Sequence, residues 1–162
     1  MLEALNKLTS YLSFKLGDET FAANVSKVLN ILEMTKITKV PKAPNYMIGV
    51  INLRGTVLPL VDTRIKFGLT PTEFTANTCI LVLDIQIGEE TIHIGGLVDS
   101  VQEVLEIEPQ QILPAPNIGN NFHSEFITGM YKISDDQFIM ILDMDKVFTV
   151  DEIIDVKTSS KG

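Results

Sequence analysis

The chain repeats itself once, and this constrains its fold more than any other feature. Val28-Leu29-Asn30-Ile31-Leu32-Glu33-Met34 reads against Val101-Gln102-Glu103-Val104-Leu105-Glu106-Ile107. A paired-proline segment follows each, Pro41-Lys42-Ala43-Pro44 in the first copy and Pro114-Ala115-Pro116 in the second. Gly49 through Asp62 then reads against Gly129 through Asp143, and both closing runs end on a carboxylate, Leu60-Val61-Asp62 and Ile141-Leu142-Asp143. The offset of roughly 73–81 residues is too long, and two copies are too few, for a solenoid. Two similar lobes are expected instead. The 162 residues suffice for one ordinary domain or for two small barrels sharing a core.

Within each copy the pattern is mostly strand. The run 11–16, a turn at Gly17-Asp18 and the run 20–23 read as a hairpin, and 78–87, Gly88-Glu89-Glu90 and 91–98 read as its second copy. The stretch from Gly49 to Asp62 has the same grammar, with its turn signal in Asn52-Leu53-Arg54-Gly55. Short strands punctuated by Gly and Pro point to small barrels. Helices are expected to be few: one near 26–31 or 62–67, and one at 144–148 or 150–154. Leu2, Leu5 and Leu8 permit a helical turn or two within residues 1–10, and the polar tail 157–162 is expected to fray. Gly95-Gly96 reads as a bulge or a barrel corner.

The chemistry-bearing residues are sparse. A net charge of −8 leaves no basic stripe, so no nucleic acid is expected as partner and anionic membrane surfaces are disfavoured. The single Cys79 excludes an intrachain disulfide and a four-thiolate zinc site, and its apolar run suits a buried small hydrophobe. His93 and His123 share no ligand spacing. Asp135-Asp136 suits a turn, and Asp143-Met144-Asp145 suits a helix N-cap followed by a first-turn acid. No phosphate-binding loop surrounds Gly95-Gly96. No catalytic residue, metal or cofactor is therefore expected. The start Met1-Leu2-Glu3 lacks the marks of a signal peptide, and no apolar run reaches the roughly 18–20 residues of a membrane helix, so a cytoplasmic location is expected. Arg54 sits on a turn flanked by apolar residues, which suits recognition of a carboxylate or backbone carbonyl on a partner. Arg64 is expected to pair with Asp62 or another acid at the surface.

These residues resemble the CheW family, the coupling proteins of bacterial chemotaxis, over about 11–148. The strongest match is Gly49-Val50-Ile51-Asn52-Leu53-Arg54-Gly55 with Pro59-Leu60-Val61-Asp62-Thr63-Arg64. Leu97-Val98-Asp99-Ser100-Val101-Gln102-Glu103-Val104-Leu105, Ile112-Leu113-Pro114-Ala115-Pro116 and Thr128-Gly129-Met130 follow in order. The resemblance implies a mainly all-β fold of two intertwined SH3-like five-stranded β-barrels, with a few short helices and a third apolar core between the barrels. The CheW-like domain would span 11–150, with lobes at 11–72 and 73–150, an N-terminal extension at 1–10 and a tail at 151–162. The lobe boundary would fall near 66–77, with a terminal strand crossing between lobes. No enzyme activity is implied. The implied partners are the cytoplasmic tip of a chemoreceptor, the regulatory domain of the histidine kinase CheA, and other CheW-like domains in rings. A second reading keeps the scaffold but places it in a type IV pilus or other chemosensory-like pathway. A small β-barrel enzyme is the third, without a convergent nucleophile, base and oxyanion set to support it.

The family packs the receptor tip in the groove between lobes. The implied receptor-binding residues are Val25, Val28, Asn30, Gly49, Asn52, Arg54 and Gly55. Val25 and Val28 would form an apolar strip rimmed by Asn30, Asn52 and Arg54, with Gly49 leaving backbone surface open. Asp99, Val101 and Glu103 are the implied kinase contacts. Asn30 departs from the family, which often has Glu there. A neutral Asn30 cannot pair with Arg54 as an ion, so receptor binding is expected to depend only modestly on salt.

Overall fold

The computed structural model describes residues 8–70, 73–115 and 126–148. The strands are β1 (Thr9–Leu16), β2 (Glu19–Asn24), β3 (Val28–Glu33), β4 (Met47–Leu53), β5 (Thr56–Asp62), β6 (Cys79–Ile87), β7 (Glu90–Val98), β8 (Ser100–Ile107), β9 (Ile112–Leu113), β10 (Ile127–Ser134) and β11 (Gln137–Leu142). Two one-turn helices, α1 (Thr63–Lys66) and α2 (Met144–Val147), follow β5 and β11. They form two curled sheets, consistent with two SH3-like barrels. One sheet has the order β8-β1-β2-β11-β10-β9 and the other β3-β6-β7-β5-β4. The sixth strand of the larger sheet is the two-residue β9, and the smaller sheet has a matching bridge at Thr38–Val50.

The two sheets are images of one another under the repeat. Exchanging β1, β2, β3, β4 and β5 for β6, β7, β8, β10 and β11 converts one strand order into the other. Division into lobes at 11–72 and 73–150 is therefore not how the strands sort. The hairpin β1–β2 completes the C-terminal sheet through a parallel β2–β11 pairing, and β6–β7 completes the other through a parallel β7–β5 pairing. The exchange is of a whole hairpin in each direction rather than of one terminal strand. Two copies with the same apolar pattern can trade equivalent hairpins with every contact replaced in kind, which makes such swapping inexpensive.

Alternation in the strands builds two apolar layers. Leu81, Leu83 and Ile85 on one face of β6 join Leu12, Phe14 and Leu16 of β1 in the large cluster between the sheets. Ile80 and Val82, on the opposite face of β6, join Ile51, Leu58, Leu60 and Leu97 in a second cluster. A strand covered on both faces reads as a continuous apolar run, as Ile80-Leu81-Val82-Leu83 does. Rings of Phe14, Phe21, Phe67 and Phe126 follow one another through the large cluster at centroid spacings of 6.2, 5.5 and 5.0 Å.

Several local expectations are revised. Residues 26–31 are not a helix: a 3₁₀ turn at Val25–Lys27 leads directly into β3, where Val28, Asn30 and Leu32 point inward and Leu29, Ile31 and Glu33 outward. Gly95 and Gly96 lie in an unbroken β6–β7 register rather than at a bulge. Their role is close approach, since a Cβ at Gly95 would stand 3.0 Å from Ile80 Cγ2 and from Leu60 Cδ1. Thr9 and Ser10 belong to β1, whereas residues 1–7, 150–154 and the tail lie outside the described residues.

Gly49 and Gly129 are equivalent in the repeat, and each faces a crossing segment. A Cβ at Gly129 would meet Ile112 Cγ2 at 2.4 Å and the Leu113 carbonyl oxygen at 2.9 Å. Gly129→Ala is expected to lose about 1–3 kcal/mol, the usual cost of overpacking. Urea unfolding measures this, and wild-type stability would show that the β9 segment is free to withdraw.

Candidate functional site: a groove between two edge strands

β3 and β8 are the equivalent segments of the repeat, and each is an edge strand of its sheet. They flank a groove of about 380 Å³ lined by Leu12, Val25, Val28, Leu29, Asn30, Ile31 and Val104. The pairing of β3 with β6 slips between Val28 and Asn30, which marks a bulge at Leu29. Leu29, Ile31 and Val104 remain 51%, 45% and 56% exposed, an adjoining set of large apolar groups that folding leaves in water. Such a patch is a mark of an interaction site. No lining residue is ionisable. Asn30 Oδ1 accepts a bond from the Ile31 amide at 2.9 Å.

Of the expected receptor residues, the structure brings Val25, Val28 and Asn30 together in this groove. It places the others elsewhere. Gly49 is buried, and a Cβ there would sit 2.4 Å from the Thr38 carbonyl oxygen, so its hydrogen serves strand packing rather than an open surface. Asn52 lies near the end of β4, and its Oδ1 closes the following turn by accepting the Gly55 amide at 2.8 Å. Arg54 and Gly55 form the two-residue turn itself, with φ of 52° and 84°. Both values are positive, as a type I′ turn requires. Arg54 is exposed and lines a different recess with Leu53, Val57 and His93, and no carboxylate of the described residues pairs with it. Leu12, Leu29, Ile31 and Val104 complete the groove without having been expected. The repeat carried a signal for one of them, since Val104 is the counterpart of Ile31.

The expected kinase contacts also divide. Glu103 is exposed on β8. Its backbone amide and carbonyl are both bonded to the Ser13 hydroxyl, at 3.1 and 2.9 Å. Val101 is half-buried against the large cluster. Asp99 is engaged inside the protein: Oδ1 accepts from Arg64 Nη1 at 2.9 Å and Oδ2 from the Gly17 amide at 2.6 Å. Arg64 is buried rather than superficial, at 2% exposure. Its Nε and Nη2 reach the two oxygens of Asp62 at 3.0 and 2.9 Å. The Phe74 ring covers the guanidinium at 5.7 Å. Hydrogen bonding to Asp62 raises the Arg64 pKa, against desolvation that lowers it.

A family model of the CheW-like domain matches residues 10–152. The chain belongs to this family. It is 35% identical to the chemotaxis protein CheW of Rhizobium meliloti, over 87% of this chain and 88% of that protein. It is 30% identical to the chemotaxis protein CheW of Klebsiella aerogenes, over 94% of this chain and 89% of that one. The crystal structure of the scaffolding protein TtCheW from Thermoanaerobacter tengcongensis matches with a TM-score of 0.76 at 28% identity, over 90% of each chain. CheW-like proteins are scaffolds and adaptors, and this one is a chemotaxis adaptor.

The chemistry of a CheW-like adaptor is that of surfaces. Among the described residues no three His, Cys, Asp or Glu side chains gather as metal ligands would, and no helix is long and apolar enough to cross a membrane. His93 Nε2 lies 3.9 Å from Asp84 Oδ1 across β6 and β7, a cross-strand pair. His123 lies outside the described residues. Burial pushes the Cys79 thiol up, with a backbone bond at Val101 opposing. A raised pKa leaves less thiolate near neutrality, so iodoacetamide at pH 8 is expected to modify Cys79 more slowly than free cysteine. A rate equal to free cysteine would show an accessible, unshifted thiol.

The two arginines should respond in opposite ways. Arg64→Met strands the Asp62 and Asp99 carboxylates and is expected to cost about 3–5 kcal/mol in denaturant unfolding. Arg54→Asn replaces a left-handed arginine with the residue a type I′ turn prefers, and is expected to gain about 1 kcal/mol. Destabilisation by Arg54→Asn would show that the arginine side chain supports the fold.

Proposed function

We propose that this adaptor couples the cytoplasmic tip of a chemoreceptor to the regulatory domain of the kinase CheA, in the cytoplasm and without turnover of its own. The observation that carries this reading is the uncharged groove between β3 and β8, where apolar side chains from both edge strands stay in water. A receptor tip is a helical hairpin, and helices dock into apolar grooves through a few side chains at helical spacing. Asn30 offers hydrogen bonds without charge, so the contact is one of shape and apolar area. Glu103, on the exposed face of β8 beside Val104, is retained as a candidate partner contact.

The repeat supports a separate mode for the kinase and for other CheW-like domains. Hairpins β4–β5 and β10–β11 are equivalent and belong to different sheets. Val57 on the first, and Ile133 and Phe138 on the second, are exposed apolar residues. One adaptor therefore presents two similar surfaces, and barrel-to-barrel pairing at each would place it between two neighbours in a ring. Arg54 stands at the tip of the first hairpin, beside Val57.

Val104→Asp tests the groove without disturbing the core. Stability is expected to stay within about 0.5 kcal/mol, as at other exposed sites. Affinity for a receptor cytoplasmic fragment, by calorimetry, should fall by an amount typical of an interface anchor, about 2 kcal/mol. Pull-down of the CheA regulatory domain should be unchanged. Undiminished receptor binding would place the receptor elsewhere, and loss of kinase binding alone would assign the groove to the kinase.

A further inference from the structure

The wall of the groove has a second side. The 3₁₀ turn Val25–Lys27 contributes Val25 to the groove, with Val28 immediately after it. Its Ser26 and Lys27 face a separate recess of about 260 Å³ of mixed polarity, lined also by Tyr11, Ile141, Met144 and Asp145. Across that recess Lys27 Nζ stands 2.8 Å from Asp145 Oδ2 and 3.0 Å from Oδ1. Asp145 Oδ1 also accepts the Gln86 amide at 2.8 Å. The carboxylate is held in place from its own side too, because Asp143 caps α2 by accepting the Asp145 and Lys146 amides. The other side-chain bond to the turn among the described residues is local, from the Ser26 amide to Asn24 Oδ1 at 2.9 Å. One ion pair thus joins the segment bearing Val25 and Val28 to α2, which continues from β11 in the other sheet.

We infer that Lys27 and Asp145 are positioning residues for the groove: their ion pair pins the groove wall to α2 without touching the groove's occupant. This rests on the groove being the receptor site proposed above. The two side chains are 23% and 30% exposed, so salt reaches the pair and screens it. Receptor affinity then acquires a salt response from inside the adaptor, although no residue lining the groove is charged.

The test uses the full chain and a helical-hairpin fragment of a receptor cytoplasmic tip. Lys27→Met removes the charge and keeps the side-chain length, Asp145→Asn removes the opposite charge, and Lys27→Arg keeps the pair. Lys27→Met and Asp145→Asn are each expected to bind roughly two- to fivefold more weakly, the range of a part-exposed ion pair. Lys27→Arg should bind as wild type does. Added salt should weaken the wild type toward the Lys27→Met affinity and leave that variant unmoved. Amide exchange at residues 25–28 of free Lys27→Met should quicken several-fold, with the amides of β1 and β6 unchanged. Val28→Asp is the control for the groove itself. If Val28→Asp abolishes binding while Lys27→Met retains wild-type affinity and salt response, the positioning role is overturned and the groove stands. If Val28→Asp folds and binds normally, the groove reading fails, and the positioning role fails with it. Unchanged exchange at 25–28 in Lys27→Met overturns the pinning whatever the binding shows.

Discussion

A buried guanidinium fixes how the two sheets sit on one another. Arg64 belongs to α1 at the end of β5, in the five-stranded sheet, and its fork is filled by Asp62 just before it. Its remaining reach goes to Asp99, which also takes the Gly17 amide of the β1–β2 turn in the six-stranded sheet. The Asp99 amide donates to the Lys15 carbonyl at 3.0 Å, so the backbone there is tied to the same hairpin. Removing a guanidinium from water costs several kcal/mol unless its donors are satisfied, and Asp62 and Asp99 supply acceptors here. Apolar burial between the sheets is larger in sum but less particular about geometry. The ion network adds bonds of defined direction to that layer.

The repeat places a second tie at the equivalent position and gives it the opposite polarity. Arg64 in α1 corresponds to Asp145 in α2. Arg64 holds Asp99, whose other carboxylate oxygen takes the Gly17 amide of the β1–β2 hairpin. Asp145 reaches from the six-stranded sheet toward Lys27 and the Gln86 amide of the β6–β7 hairpin. Each tie therefore leads to the hairpin that its own half of the chain donates to the opposite sheet. The Arg64 guanidinium is buried, whereas the Lys27 and Asp145 side chains are 23% and 30% exposed. The groove lies beside the more exposed tie, because Lys27 sits between Val25 and Val28.

Much of this was legible in the sequence. Hairpins, the short helices after Asp62 and Asp143, and the capping role of Asp143 follow from local patterns that the structure obeys. The exchange of hairpins was not legible, because equivalent strands carry the same apolar alternation whichever sheet they join. Gly49 read as open surface because glycine reports only a lack of bulk; the Thr38 carbonyl oxygen that requires this lack arrives from a segment 11 residues earlier. Asp99 entered as a kinase contact through the family resemblance, and its bond to Arg64, 35 residues away, is reached only through the fold. Half of the groove was visible on β3. The other half required pairing Ile31 with its repeat counterpart Val104.

Arg54 and Arg64 are ten residues apart in one hairpin–helix unit, and they separate fold from recognition. Arg64 has its donors met from within the chain. Arg54 is held at φ 52° on a turn that asparagine or glycine would occupy with less strain. Nothing among the described residues offers it a carboxylate in return. A position that breaks a local rule without compensation inside the molecule points to a requirement outside it. The turn fixes the backbone from which the arginine projects, since type I′ geometry is set by Gly55 and by the Asn52 side chain that closes it. A cation aimed from a rigid tip loses little entropy on meeting a partner. The strain at Arg54 is thus consistent with the proposed recognition role of this hairpin, at a place distinct from the apolar groove.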